Sequence, residues 1–143
     1  MRHTALAFAL AFAAAPALAE DAIVTDYEGS FADATFAVEA AIVNQGLVID
    51  NTSHVGDMLN RTGQDVGSDV TLFENADIYN FCSAVVSREV MEADPMNIQY
   101  CPYGIFVTER EGKVQIGYRD YPDGAMQAVE DMLAGIVAEA AGN

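Results

Sequence analysis

The chain has no tryptophan, one lysine, two histidines and two cysteines, and only six basic residues in all. Each shortage excludes something. Without tryptophan, a small domain has few of the flat platforms on which sugars stack. Six Lys and Arg against 22 Asp and Glu give a net charge of −16, and a surface so acidic repels phosphate backbones, which removes nucleic acid as a partner. No Gly-x-Ser-x-Gly, phosphate-cradling glycine loop, His-Glu-x-x-His or haem-attachment sequence is present. The single lysine, Lys113, stands beside Glu111-Gly112, a wet turn unsuited to depressing an amine pKa. Carboxylates abound, so a two-carboxylate hydrolase stays open. The balance points away from an enzyme.

What is present begins with a leader. MRHTALAFALAFAAAPALAED places a short polar start before an apolar run, then Ala17-Leu18-Ala19 as a small-x-small cleavage site. That is the layout of a secretory signal peptide over residues 1–19, with one domain over residues 20–143. The apolar run is too short to span hydrocarbon, so no membrane insertion is expected after cleavage. Loss of Arg2 leaves five basic against 22 acidic residues, a net charge of −17. A periplasmic or secreted location follows.

Along the mature chain, Ala22–Tyr27 reads as a strand. Ser30 and Asp33 have the spacing of a capping box, followed by Phe31, Ala34, Val38, Ala41 and Ile42 at helical spacing up to Gly46. Leu47–Ile49 starts a second strand, and the following Asp50–Ser53 is polar. A short helical turn around Val55, Met58 and Leu59 ends at Gly63, and residues 64–68 read as loop. Ile78–Met91 fits both a helical stripe and, at its start, a strand; the reading taken is a strand through Cys82, then a helix to Ala93 closed by Asp94-Pro95. Tyr103–Val107 is the clearest strand. Val114, Ile116 and Tyr118 alternate with Lys113, Gln115 and Arg119, as in a sheet wet on one face. Pro122 opens a last helix that buries Met126, Val129, Leu133, Ile136 and Val137. The order gives an α+β domain: an antiparallel sheet of four to five strands with helices packed on one face.

Cys82 and Cys101 lie 19 positions apart. In an oxidising compartment two cysteines have one intramolecular pairing open to them. If Cys82 ends one strand and Cys101 begins an antiparallel neighbour, both sit at one edge of the sheet and a bridge is feasible. A thiol-redox site is the sharper alternative. Pro102 fixes the backbone beside Cys101, Tyr103 is placed to shield the sulfur, and Arg88 is a candidate thiolate-stabilising cation, though no Cys-x-x-Cys is present. A soft-metal site is the third reading. His54 and Met58 share a helical face if a helix runs there, Met91 and Met96 flank the acidic turn, and copper(I) favours thioether, imidazole and thiolate together. Methionines more often fill core gaps, and no cofactor is the expectation. Asp65, Ser68 and Asp69 lack calcium-loop spacing.

The run FCSAVVSREVMEADPMNIQYCPYGIFV with the following GKVQIGYR resembles bacterial domain-of-unknown-function family 302. That resemblance implies a compact α+β domain with an antiparallel sheet and brings no catalytic residues with it. Two functions are therefore carried forward. One is an exported accessory or small-ligand-binding domain with a structural disulfide, its partner a small ligand or a periplasmic protein. The other is a thiol-redox or copper-handling protein using Cys101 and Cys82. Oligomeric state is left open.

Overall fold

Ser30 ends the first extended segment and decides where the chain turns helical. Its hydroxyl accepts from the Asp33 backbone N–H at 3.1 Å, and the Asp33 carboxylate accepts from the Ser30 N–H at 3.3 Å. The reciprocal pair satisfies two of the N–H groups that a helix start leaves without partners. The computed structural model describes residues 22–142, so the expected leader lies outside the described residues.

The elements in order are β1 (Ala22–Tyr27), α1 (Phe31–Asn44), β2 (Val48–His54), α2 (Val55–Asp65), β3 (Asn75–Cys82), α3 (Ala84–Ala93), a 3-10 helix (Pro95–Tyr100), β4 (Tyr103–Arg110), β5 (Lys113–Arg119) and α4 (Gln127–Ala140). All five strands form one antiparallel sheet in the order β1-β5-β4-β3-β2. α1 and α4 pack on each other and against one face of the sheet. The expected α+β architecture is the one observed.

Strand residues alternate between faces, and the register shows which share one. Tyr79 faces Ile105, which faces Tyr118; Phe81 faces Tyr103; Val107 faces Ile116. All seven are buried, together with Ala34, Val38 and Ile42 of α1 and Val129, Leu133 and Ile136 of α4. This inner face is the core. Fully burying one side chain of this kind contributes roughly 1.5–3 kcal/mol.

One local expectation is extended and two are corrected. The strand begun at Leu47–Ile49 takes in the polar Asp50–Ser53 as well: β2 runs to His54. Its polar residues are tolerated because β2 is an edge strand, and a register break between Ile49 and Asn51 leaves Asp50 bulged out of the ladder. α2 continues through Gly63 to Asp65, taking in two residues expected as loop. The stop is Gly67, whose φ of 72° suits glycine; the Ser68 N–H donates to the Gly63 carbonyl at 2.8 Å and the Gly67 N–H to the Gln64 carbonyl at 3.2 Å. Pro122 does not open the last helix, which starts at Gln127. Ahead of that helix, the Glu130 carboxylate accepts from the Tyr121 N–H at 2.7 Å and ties the end of the sheet to α4. The buried side of α4 is as expected, Met126 included.

Candidate functional site

The outer face of the sheet carries a different kind of sequence. Val24 stands opposite Gly117, Gly117 opposite Phe106, and Phe106 opposite Ile78. One step toward the disulfide end lie Ala22, Arg119, Gly104 and Asn80; register alternation continues the pairing from Arg119 to Gly104. Two of these positions are glycine, and they differ in kind. A Cβ on Gly117 would collide with the Phe106 ring and come 2.7 Å from the Ile23 carbonyl, so Phe106 lies across the bare backbone there. A Cβ on Gly104 would meet nothing closer than Ile78 Cγ2 at 3.5 Å and Asn80 Oδ1 at 3.6 Å, which is ordinary contact. Neither backbone has a positive φ. The fold itself therefore has no need for glycine at 104; the missing side chain leaves space.

That space is part of a groove of about 540 Å³ at the disulfide end of the outer face. Gly104, Ile78 and Phe106 make its floor. Cys101, Pro102 and Tyr100 form one wall, and Tyr121 closes the back. Asn80, Gln99 and Arg119 bring the polar groups. Tyr121 stacks edge-to-face on Tyr100 at 5.6 Å and on Tyr103 at 6.3 Å. Burial pushes the Tyr121 phenol up to about 12, with the nearby Arg119 guanidinium opposing the shift. The phenol is neutral at ordinary pH.

Two neighbouring strand ends build the rim. Cys82 closes β3 and Cys101 precedes β4, with a Cα–Cα distance of 6.6 Å, and the two form a disulfide. The peptide bond from Cys101 to Pro102 is cis. Between the cysteines, Ser83 caps α3 by accepting from the Val86 N–H, Asp94 caps the 3-10 helix, and the Asn97 amide donates to the Val90 carbonyl at 2.8 Å. The bridge thus closes a loop whose interior is already ordered.

The residues singled out from sequence are only partly gathered here. Cys101 and Pro102 line the groove, and Cys82 is joined to Cys101. Tyr103 is fully buried on the inner face, its hydroxyl 3.1 Å from that of Ser87 and its ring edge-to-face with Tyr121. Arg88 pairs with Glu92 four residues along α3. Met91 packs against the core and Met96 is exposed on the 3-10 helix. His54 lies at the other end of the sheet, its Nδ1 2.8 Å from Asp77 Oδ1, and Met58 follows on α2 with its sulfur 3.9 Å from the Thr62 hydroxyl. The hydrogen bond that the His54 ring donates to Asp77, then the Asp77 charge, holds the His54 pKa above the usual imidazole value. Among the described residues, no three His, Cys, Asp or Glu side chains cluster to hold a metal.

Asn80, Gln99, Arg119, Gly104 and Phe106 escaped notice in the sequence. Two signals pointed their way. The alternation in KVQIGYR already put Arg119 on the wet face, and a glycine inside the apolar strand CPYGIFV marks a close approach or a space.

An antiparallel five-stranded sheet with helices over one face and a disulfide-rimmed groove on the other defines the class: a small α+β domain with one free sheet face. The chain belongs to the family described as Domain of unknown function DUF302, whose model matches residues 23–143. Its fold is similar to the crystal structure of an uncharacterized conserved DUF302 protein from Bacillus stearothermophilus, with a TM-score of 0.67 at 15% identity, covering 85% of this chain and 96% of that one. No curated protein matches the sequence.

Proposed function

We propose that this DUF302 domain is an exported, non-catalytic small-ligand-binding module whose site is the groove beside the Cys82–Cys101 bridge. The observation that carries the reading is Gly104, a strand glycine with no steric or conformational duty to the fold, lying on the floor of a concavity. Ligand sites are typically concavities of about 300–1,000 Å³ with apolar walls and a few convergent polar groups, and this groove has that make-up. The disulfide serves by holding the Cys101-Pro102 wall against β3. Export rests on the leader and accords with a disulfide.

The test is native mass spectrometry of protein purified from the periplasm. The expected species starts at Glu20, lacks the two thiol hydrogens and retains a small molecule that Gly104→Leu loses. Protein that keeps residues 1–19 with both thiols free overturns export; ligand-free wild type overturns the binding role.

A redox reading draws on one feature, that Cys101 lines the groove and so meets whatever enters it. The reduction potential of the bridge separates the two. Structural disulfides lie below about −300 mV, and working ones lie higher.

A further inference from the structure

The charge lining the groove is unlike that of the rest of the molecule. The chain carries 22 acidic residues, yet among the described residues no Asp or Glu lines this groove. Four smaller concavities each include at least one: Asp69 in one, Asp26 with Glu28 and Glu111 in the next, Asp94 with Asp123 in the third, and Glu92 in the last. The groove has Arg119 instead. Arg88 pairs with Glu92 and Lys113 with Asp26 at 3.0 Å, whereas Arg119, like Arg61 and Arg110, forms no ion pair among the described residues; of these three, Arg119 is the one that lines the groove. Asn80 and Gln99 also line the groove, and among the described residues neither donates to a carboxylate.

We infer that the groove takes a small organic monoanion, a carboxylate on a short apolar body, with Arg119 as its anchor. This rests on the groove being a ligand site and names what that site selects. A guanidinium presents a planar fork that matches a carboxylate with two parallel N–H···O bonds. Asn80 and Gln99 stand within the same concavity to donate to further oxygens, and Ile78, Phe106 and Pro102 receive the apolar part. The excess of negative charge elsewhere limits the choice. A polyanion such as a nucleotide or inorganic phosphate meets repulsion from the whole surface that one guanidinium does not offset, while a single charge is repelled far less.

The experiment follows amide shifts of the isotope-labelled mature protein, bridge intact, titrated with benzoate, cinnamate and hexanoate, with their uncharged primary amides and with inorganic phosphate. At least one carboxylate is expected to shift Gly104, Asn80 and Arg119 with at least tenfold tighter binding than its amide, and phosphate to leave them still. Arg119→Gln should remove that tenfold preference while weak binding of the amide persists, and Arg119→Lys should restore part of it. Because Arg119 is exposed, both variants are expected to keep the wild-type melting temperature. Gly104→Leu should abolish binding of both probes. Equal binding of acid and amide, unchanged in Arg119→Gln but lost in Gly104→Leu, overturns the monoanion and leaves the groove as a site. No carboxylate shifting the groove overturns it too; the mass of any co-purified molecule then decides whether the ligand site survives with a neutral occupant. A dimer whose interface protects the groove amides overturns both.

Discussion

The two faces of one sheet use the same five strands and the same alternation, yet their side chains answer different demands. On the inner face the buried positions are Tyr79, Phe81, Tyr103, Ile105, Val107, Val114, Ile116 and Tyr118. Interiors pack to crystal-like density, so side chains there are selected to fill volume. On the outer face the same strands supply Gly104, Gly117, Asn80 and Arg119, with Val24 45% exposed. At Gly104 space is kept where a side chain would fit, while Gly117 lies beneath the Phe106 ring. Stability belongs to one face, and recognition is left to the other.

The comparison breaks most easily by truncation. Phe81→Ala removes a fully buried ring and should cost about 3–5 kcal/mol in urea unfolding. Val24→Ala, on the outer face of β1, should cost under about 1 kcal/mol, because much of the side chain is already wet. Similar losses for the two would mean that the outer face is covered in solution.

The bridge ties the faces together at one end. Replacing both cysteines with alanine frees a loop of 19 residues' separation and should lower stability by about 3 kcal/mol in the chain-entropy estimate. That leaves most of a domain's usual 5–15 kcal/mol intact. The doubly substituted protein should therefore still fold, with its groove wall loosened: amide exchange should quicken at Gln99–Gly104 and stay slow in β1 and β5. Uniform quickening would deny the bridge its local role.

How much of this could be read beforehand follows the same division between faces. The inner face announces itself by period, since Val114, Ile116 and Tyr118 alternate and Val129, Leu133 and Ile136 recur at helical spacing. Caps are equally local, as Ser30 and Asp33 show. β2 was harder because Asp50–Ser53 has no strand chemistry of its own; pairing with β3 imposes extension on it. The α2 stop was misplaced by the presence of two glycines, Gly63 and Gly67, of which only the second takes the left-handed conformation. The groove lay further out of reach. Its residues come from β1, β3, β4, β5 and the loops beside them, and no sequence period links Asn80 to Arg119. The cysteines were visible as a pair, whereas the space beside them follows from strand order.

Within the outer face, the two glycines sharpen the contrast between fold and site. Gly117→Ala forces its methyl against the Phe106 ring and the Ile23 carbonyl and should destabilise by about 1–3 kcal/mol, as overpacking does. Gly104→Ala meets only ordinary contacts. It should change stability by no more than about 1 kcal/mol, and in the favourable direction, because alanine restricts the unfolded chain. Chemical denaturation of both variants reads the difference. A strong loss for Gly104→Ala would return that glycine to the fold and remove the observation on which the binding proposal stands.

The smallest effect concerns the ends of the sheet. His54 pairs across the strands with Asp77, five residues along β3 from Cys82, about 16 Å at the usual strand rise. Its pKa is raised by the Asp77 hydrogen bond and then by the Asp77 charge. A raised histidine pKa means that the folded state binds the proton more tightly, so the stabilisation is complete below the unfolded value of 6.5 and disappears as pH rises through the folded one. The pair is solvent-exposed, and the expected change in stability is correspondingly slight. NMR titration should show His54 above 6.5 and Asp77→Asn returning it toward that value. Carboxylate binding in the groove should not follow this titration, because Arg119 keeps its charge throughout and a carboxylate probe stays ionised above about pH 6. If affinity instead tracked His54, the two ends of the sheet would be coupled, and the groove would no longer be a site that the static outer face explains.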